Sequence, residues 1–163
     1  MIYYPDAFLD NLLLEDIQYG DLTCRALNIN HQLGTITFTC REAGCVSGIT
    51  LGCRLLAKLG LTVTAHLQEG DFAKQGDCLI SAEGRADALH QGWKVVQNVL
   101  EWSCGVSDYM AKMLEIYHRY QPKGQIACTR KNIPNTKLLA TQAVLAGGGI
   151  IHRQGCSETI LLF

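Results

Sequence analysis

The stretch TRKNIPNTKLLATQAVLAGGGIIHRQG, residues 129–155, decides the fold. Its middle part, residues 134–146, has apolar side chains at helical spacing and predicts a helix with Pro134 near its start. A short apolar strand at 125–130 precedes this helix, and three consecutive glycines follow it at 147–149. We expect another apolar strand after the glycines, and the order strand, helix, glycine loop, strand is typical of a βα unit.

Basic side chains follow the first strand and the glycines of this stretch. Arg130 and Lys131 come directly after the strand, and His152 and Arg153 come directly after the glycine loop. The carboxyl ends of parallel strands are where α/β folds place their sites. We therefore predict a small-anion site in which the glycines turn the chain so that all four side chains face one anion. From the residues alone, a solvated loop and a plain helix cap remain equally open.

The rest of the chain mixes helices and strands without an internal repeat. Alternating apolar positions predict strands, three- and four-residue spacings predict helices, and the glycine of REAG and two Gly-Asp pairs predict turns. At Gly105 we expect a kink in the longest helix or a break between two helices. The predicted helices are 5–16, 50–59 and 86–120; the predicted strands are 33–40, 45–49, 61–67, short strands within 69–84, and 158–163.

Composition excludes several classes of protein. Apolar residues make up 48% of the 163 residues, charged residues make up 18%, and the formal net charge is −1. This chain can build a core, and it carries no overall charge that would attract nucleic acid or a membrane surface. The N-terminus lacks the basic and apolar segments of a signal peptide, so we predict a cytoplasmic protein with neither a nucleic-acid nor a membrane partner.

The cysteines and the isolated histidines are predicted to have structural rather than functional roles. No CxxC pair occurs among the eight cysteines, and their spacings match no zinc template. We predict reduced thiols that are mostly buried, with a metal site as the weaker alternative. The isolated histidines are predicted to be structural or surface residues: His31, His66, His90 and His118.

Several motifs, in the same order along the chain, resemble those of the quinolinate phosphoribosyltransferase family. EDIQYGDLT at 15–23 and REAGCVSG at 41–48 resemble its N-terminal signatures, as does EGDFAKQGDCL at 69–79. WKVVQNVLEWSCGV at 93–106 resembles its Glu-Arg helix, and the opening stretch resembles its Thr-Arg-Lys, triple-glycine and His-Arg-x-Gly pattern. The resemblance covers essentially the whole chain.

This resemblance implies a fold and an activity. The fold class is α/β (α+β), with an N-terminal α/β sandwich domain at 1–106 and the first part of a TIM-like α/β barrel at 107–163. Members of the family transfer phosphoribosyl from phosphoribosyl pyrophosphate to an anionic nitrogenous base and release pyrophosphate. The resemblance also implies Mg²⁺ as cofactor and a homodimer.

Site residues are carried over by position. The resemblance implies that the carboxylates of the base are held by Thr129, Arg130, Lys131, His152 and Arg153. Lys94 stands where the family has an arginine that reaches the neighbouring subunit's site. No metal ligand and no catalytic residue is assigned, because the family's acidic Mg²⁺ ligands would lie beyond Phe163.

At several positions the chain departs from the family pattern. In these departures it resembles the ModD-type pyrophosphorylases, a subgroup associated with molybdate transport genes. Lys94 replaces arginine and so loses the bidentate fork, Trp93 replaces glutamate, and Phe163 replaces a lysine. These changes suggest that the acceptor base is not quinolinate. Because a complete barrel needs about 250 residues, we expect a C-terminally truncated barrel, and we expect this 163-residue chain alone to be inactive.

Two other functions stay open. The first is a non-catalytic binding or assembly module associated with molybdate transport. The second, ranked low, is a lipoyl- or biotinyl-like carrier, because HLQEGDFAKQGDCLISAEG at 66–84 resembles the strand signature of such domains but lacks a lysine at the right hairpin tip.

Overall fold

The computed structural model describes residues 2–158, which form five helices and seven strands within that range. The helices are α1 (Asp6–Ile17), α2 (Leu22–Leu27), α3 (Ile49–Lys58), α4 (Ala86–His118) and α5 (Lys137–Ala146). The strands are β1 (Leu33–Thr39), β2 (Gly44–Cys45), β3 (Thr62–Ala65), β4 (Phe72–Ala73), β5 (Cys78–Arg85), β6 (Ala127–Cys128) and β7 (Ile150–Ile151).

The N-terminal part is a small antiparallel sheet covered by helices. Strand β5 lies in the centre and pairs with β1 on one side and β3 on the other, while β2 pairs with β4 separately. Helices α3 and α4 pack on this sheet, and α1 packs on α3 and α4. Leu55, Ile80 and Val96 meet in the resulting core and are fully buried. Removing such side chains from water is the main stabilising contribution to the fold.

Helix α4 is continuous over 33 residues, so the predicted break between two helices at Gly105 is wrong, whereas a kink there stays a prediction. A Cβ at Gly105 would meet nothing within 4 Å, so no close neighbour requires a glycine there. One glycine costs a helix only about 1 kcal/mol, and buried side chains on both sides of it outweigh this. Val96 and Leu100 belong to the N-terminal core, whereas Met110 and Leu114 form a second cluster with Val144 of α5.

The C-terminal part is a single parallel βαβ unit. Strands β6 and β7 pair in parallel, with the Ile150 amide donating to the Ile126 carbonyl at 3.0 Å and the His152 amide donating to the Cys128 carbonyl at 3.2 Å. The strand that pairs with β6 therefore follows the glycines directly. The strand predicted at 158–163 lies, beyond residue 158, outside the described residues.

Two helices differ from the sequence prediction, one in where it begins and one in being present at all. Helix α5 begins at Lys137 rather than near Pro134, because Asn135 has a left-handed φ of 66° that a right-handed helix cannot include. Helix α2 is not among the predicted helices, which pass from 5–16 directly to 50–59. The Asp21 side chain caps α2 by accepting from the Thr23 and Cys24 amides.

A different structural constraint requires glycine at each of the three positions. Gly147 ends α5, and a Cβ on it would lie 2.4 Å from the Ser107 carbonyl oxygen and 2.8 Å from Met110 Cβ. Gly148 has a φ of +85°, which L side chains rarely adopt. A Cβ on Gly149 would lie 2.9 Å from Val144 Cγ1. The glycines thus let α5 lie against α4 and let the chain reverse into β7.

The predicted mixed α/β architecture is confirmed. The domain boundary between residues 106 and 107 falls inside continuous α4 and stays a prediction. Across residues 2–158, none of the helices combines the length and the apolar character that crossing a bilayer requires.

Candidate anion-binding site

Two neighbouring parallel strands end at the same edge and bring basic residues there. Thr129 and Arg130 follow the end of β6, and His152 and Arg153 follow the end of β7. The strand pairing fixes this edge through the amide of His152. The carboxyl ends of β6 and β7 thus form the arrangement in which α/β folds bind ligands.

A small cavity of about 20 Å³ lies at this edge between the strand ends and α5, about the space that one water molecule needs. Thr129, Arg130 and Arg153 line it, and so does Lys137 in the first turn of α5. Lys131 and His152 are exposed and are not among its lining residues. The structure thus brings together three of the five residues predicted for this part of the chain.

Lys137 is a basic residue of the site that sequence reasoning missed. Its Nζ donates to the Gln154 carbonyl and so links the start of α5 to the segment after β7. The signal was present in the sequence, because a lysine in the first turn of a helix that follows a strand lies where α/β folds bind anions.

The pKa of the Cys156 thiol reflects the positive charge of this cluster. Its Sγ lies 3.4 Å from Arg130 Nη1. The hydrogen bond from Arg130 and the charge of that guanidinium, with smaller contributions from Arg153 and Lys137, lower the pKa of the Cys156 thiol. A thiolate is an anion, so the lowered pKa is the effect that a site for negative charge should have on a group beside it.

We expect the exposed thiol of Cys156 to be alkylated faster at neutral pH than that of Cys104, whose pKa burial raises to about 11. Only the thiolate reacts, so a lowered pKa moves the midpoint of the rate–pH curve below that of an unperturbed cysteine. Iodoacetamide labelling followed by peptide mass spectrometry over a pH series measures this midpoint. Arg130→Ala should raise the midpoint at Cys156 and leave Cys104 unchanged; an unmoved midpoint at Cys156 would contradict the arrangement.

The residues at this cavity do not fit Mg²⁺. Magnesium prefers oxygen ligands with negative charge, and among the described lining residues three are cationic and none is a carboxylate. Glu158, the nearest acidic group along the chain, accepts a hydrogen bond from the Gln154 amide. The described residues of the site therefore suit an anion, not a divalent cation.

Lys94 lies on α4, away from these strand ends. Its Nζ donates to Gln97 Oε1 at 2.8 Å and lies 4.5 Å from the centre of the Trp93 ring. Trp93 and Gln97 line an open groove of about 720 Å³ between α4 and the segment from β1 to β2. Within one chain, Lys94 therefore contacts two residues that line this groove.

The comparison with family models covers nearly the whole chain. Residues 21–104 match the model "Quinolinate phosphoribosyl transferase, N-terminal domain", and residues 106–163 match the model of the C-terminal domain of the same enzyme. The chain belongs to the quinolinate phosphoribosyltransferase family. This membership confirms the resemblance drawn from the motifs and leaves the carrier interpretation without support.

Individual relatives agree with the family models. The chain is 62% identical over 163 residues to a protein of Escherichia coli O6:H1 named "Putative pyrophosphorylase ModD", and 35% identical to a protein of the same name from Rhodobacter capsulatus. It is 29% identical over 157 residues to the "Probable nicotinate-nucleotide pyrophosphorylase [carboxylating]" of Bacillus subtilis. The whole chain matches 57% of the length of the E. coli protein, and 94% of it matches 53% of the B. subtilis protein.

Solved structures share the fold. NadC from Streptococcus pyogenes superimposes with a TM-score of 0.86 at 26% identity, over 95% of this chain and 56% of that one. The nicotinate-nucleotide pyrophosphorylase from Francisella tularensis superimposes with a TM-score of 0.84 at 22% identity. The chain therefore has the fold of the N-terminal domain and of the first part of the TIM-like barrel in these enzymes.

Proposed function

We propose that this chain carries the base-binding half of a phosphoribosyltransferase of the pyrophosphorylase type. The observation that supports this most strongly is the cluster of Arg130 and Arg153 at the ends of two adjacent parallel strands, with Lys137 beside them. Guanidinium groups bind carboxylates through paired charge-assisted hydrogen bonds. An acceptor base with at least one carboxylate is the substrate class that suits this cluster.

In the proposed reaction the chain's residues position the base rather than react with it. Arg130 and Arg153 hold the carboxylate, and Thr129 offers a hydroxyl to the same pocket. The ring nitrogen of the base then attacks the anomeric carbon of phosphoribosyl pyrophosphate, so that the N–C bond forms as the bond to pyrophosphate breaks. Holding the two reactants in line supplies much of the rate in such a displacement.

Three further parts of the proposal rest on the family resemblance. Lys131 and His152 are exposed on the two loops that follow the strands, from which they could reach a bound base. Lys94, beside Trp93 of the large groove, would reach the anion site of a second copy in a homodimer. Mg²⁺ stays a prediction, with ligands outside the described lining of the pocket, and a cytoplasmic location also stays a prediction.

The test is a measurement of pyrophosphate release by the purified protein. It is incubated with phosphoribosyl pyrophosphate, Mg²⁺ and one member of a panel of carboxylated nitrogen heterocycles that includes quinolinate and nicotinate. Release that depends on one base and is lost in Arg153→Ala supports the transferase. Binding of one base by calorimetry that is lost in Arg153→Ala supports the proposed base-binding half, and release of pyrophosphate with that base would in addition rule out the non-catalytic module. Absence of both binding and release across the panel would overturn the proposed function.

A further inference from the structure

Three potential metal ligands meet where α2 begins and α4 packs against it. The ligand atoms of Asp21, Cys24 and His90 all lie within 4.8 Å of one another. Asp21 Oδ1 and His90 Nδ1 are 3.4 Å apart. Asp21 and Cys24 come from the cap and first turn of α2, whereas His90 comes from the first turns of α4. This cluster is built from different elements than the anion site at β6, β7 and α5.

The two oxygens of the Asp21 carboxylate have different surroundings: one accepts hydrogen bonds and the other has no such partner among the described residues. Oδ1 accepts the Thr23 amide at 3.0 Å and the Cys24 amide at 3.3 Å. Oδ2 is buried and meets no N–H or O–H donor among the described residues, and the Asp21 side chain is 10% exposed. A buried carboxylate oxygen without a donor is costly. Something with positive charge beside Oδ2 would remove this cost.

Cys24 and His90 are placed to share such a cation. Cys24 is fully buried, and its thiol is held beside the carboxylate; the hydrogen bond to Asp21 and then burial raise its pKa to about 11. A thiol is only a weak donor, so it compensates the carboxylate poorly. The His90 side chain is 47% exposed, which gives an ion a path from solvent and leaves room for a water ligand.

We propose that Asp21 Oδ2, Cys24 Sγ and a ring nitrogen of His90 bind Zn²⁺ or a chemically similar divalent transition metal, with water as the fourth ligand. Sulfur, imidazole nitrogen and carboxylate oxygen are the ligands that zinc takes, and the thiolate disfavours Mg²⁺ and Ca²⁺. Zinc–ligand bonds of about 2.0–2.3 Å place tetrahedral ligands about 3.3–3.8 Å apart. A carboxylate oxygen of Asp21, the Cys24 sulfur and a ring nitrogen of His90 lie within 4.8 Å of one another, so a contraction of no more than about 1.5 Å brings such atoms to these values.

Binding changes the protonation of one group and joins two helices. The Cys24 S–H bond breaks, its proton passes to solvent, and the sulfur–metal bond forms, while Asp21 binds as carboxylate and His90 as neutral imidazole. Oδ1 keeps its two cap hydrogen bonds throughout. The ion then fastens α2 to the start of α4, so a bound metal stabilises the packing of the N-terminal segment.

Cobalt titration of the metal-free, reduced protein tests the site. Cys156→Ser serves as the background, since this exposed thiol could bind metal by itself. We expect one equivalent of Co²⁺ to give a thiolate-to-metal charge-transfer band, and Zn²⁺ to displace it. Cys24→Ser should abolish the band. Asp21→Asn, which keeps an N-cap side chain, and His90→Gln should each weaken Co²⁺ binding by about 10-fold or more.

Matched controls separate this site from general thiol and histidine binding. Cys53→Ser and His118→Gln remove residues outside the cluster and should leave the titration unchanged. Absence of the band in folded protein, or its persistence in Cys24→Ser, would overturn the proposal. If Cys24→Ser does not fold, His90→Gln decides, because His90 is half exposed and circular dichroism can verify its fold; unchanged affinity there would also overturn it.

Discussion

Gly147→Ala is expected to lower the free energy of unfolding by about 3 kcal/mol. The added Cβ would lie 2.4 Å from the backbone oxygen of Ser107 and 2.8 Å from Met110 Cβ. A backbone oxygen inside a long helix cannot turn aside as a flexible side chain can, so α5 has to move away from α4. For a domain of this size the loss corresponds to a fall in Tm of about 6–12 °C, which calorimetry or a urea titration measures.

Gly105→Ala is the matched control for this substitution. Gly105 lies inside α4, and a Cβ there would meet nothing within 4 Å. Replacing an exposed helical glycine with alanine should stabilise the protein by about 0.5–1 kcal/mol. The two variants make the same chemical change in an open and in a closely packed environment, so equal stabilities would contradict the close packing at Gly147.

Periodicity predicted much of the fold because most elements bury one face. The apolar spacing of α1 and α3 and the alternation of β1 and β3 gave bounds within two residues of those observed. The errors come from places where tertiary contacts outweigh local preference. Gly105 would weaken an isolated helix, but buried side chains on either side of it keep α4 continuous.

The triple glycine shows what a sequence pattern alone leaves open. The pattern predicts a helix end and a tight turn, and Gly148 with its positive φ fits this expectation. Gly147 has an ordinary φ of −74°, so its backbone conformation does not require glycine. Glycine is required there because a Cβ would collide with Ser107, 40 residues away along the chain. A contact of this kind has no local signal, because it depends on how α5 lies on α4.

The residues of the candidate sites also divide into those whose placement follows from the order of elements and those whose placement depends on tertiary packing. Placement of Arg130 and Arg153 at one edge follows from the βαβ order, so the sequence could predict it. The separation of Lys131 and His152 from the cavity depends on the path of each loop, which the residue order does not determine. The meeting of Asp21 with His90 needs the packing of α2 on α4, and for that reason a spacing template could not reveal it.

Arg130→Ala and Arg153→Ala are each expected to raise the Kd for a carboxylated base by about 10–100-fold. A hydrogen bond to a charged group contributes about 1.5–3 kcal/mol, and about 1.4 kcal/mol corresponds to a factor of 10. Calorimetry with the base that binds most tightly in the panel measures the loss. Thr129→Ser, which keeps the hydroxyl at the pocket, should change the Kd much less.

The double variant distinguishes a shared anion from a general positive surface. If both guanidinium groups hold one carboxylate, removing the second should cost less than removing the first, so the two losses should not add. A general surface effect would instead add and would weaken steeply with salt. Arg119→Ala removes an exposed arginine whose guanidinium pairs with Glu115, and it should leave the Kd unchanged. An equal loss in Arg119→Ala, or additive losses at Arg130 and Arg153, would contradict a single carboxylate held between the ends of β6 and β7.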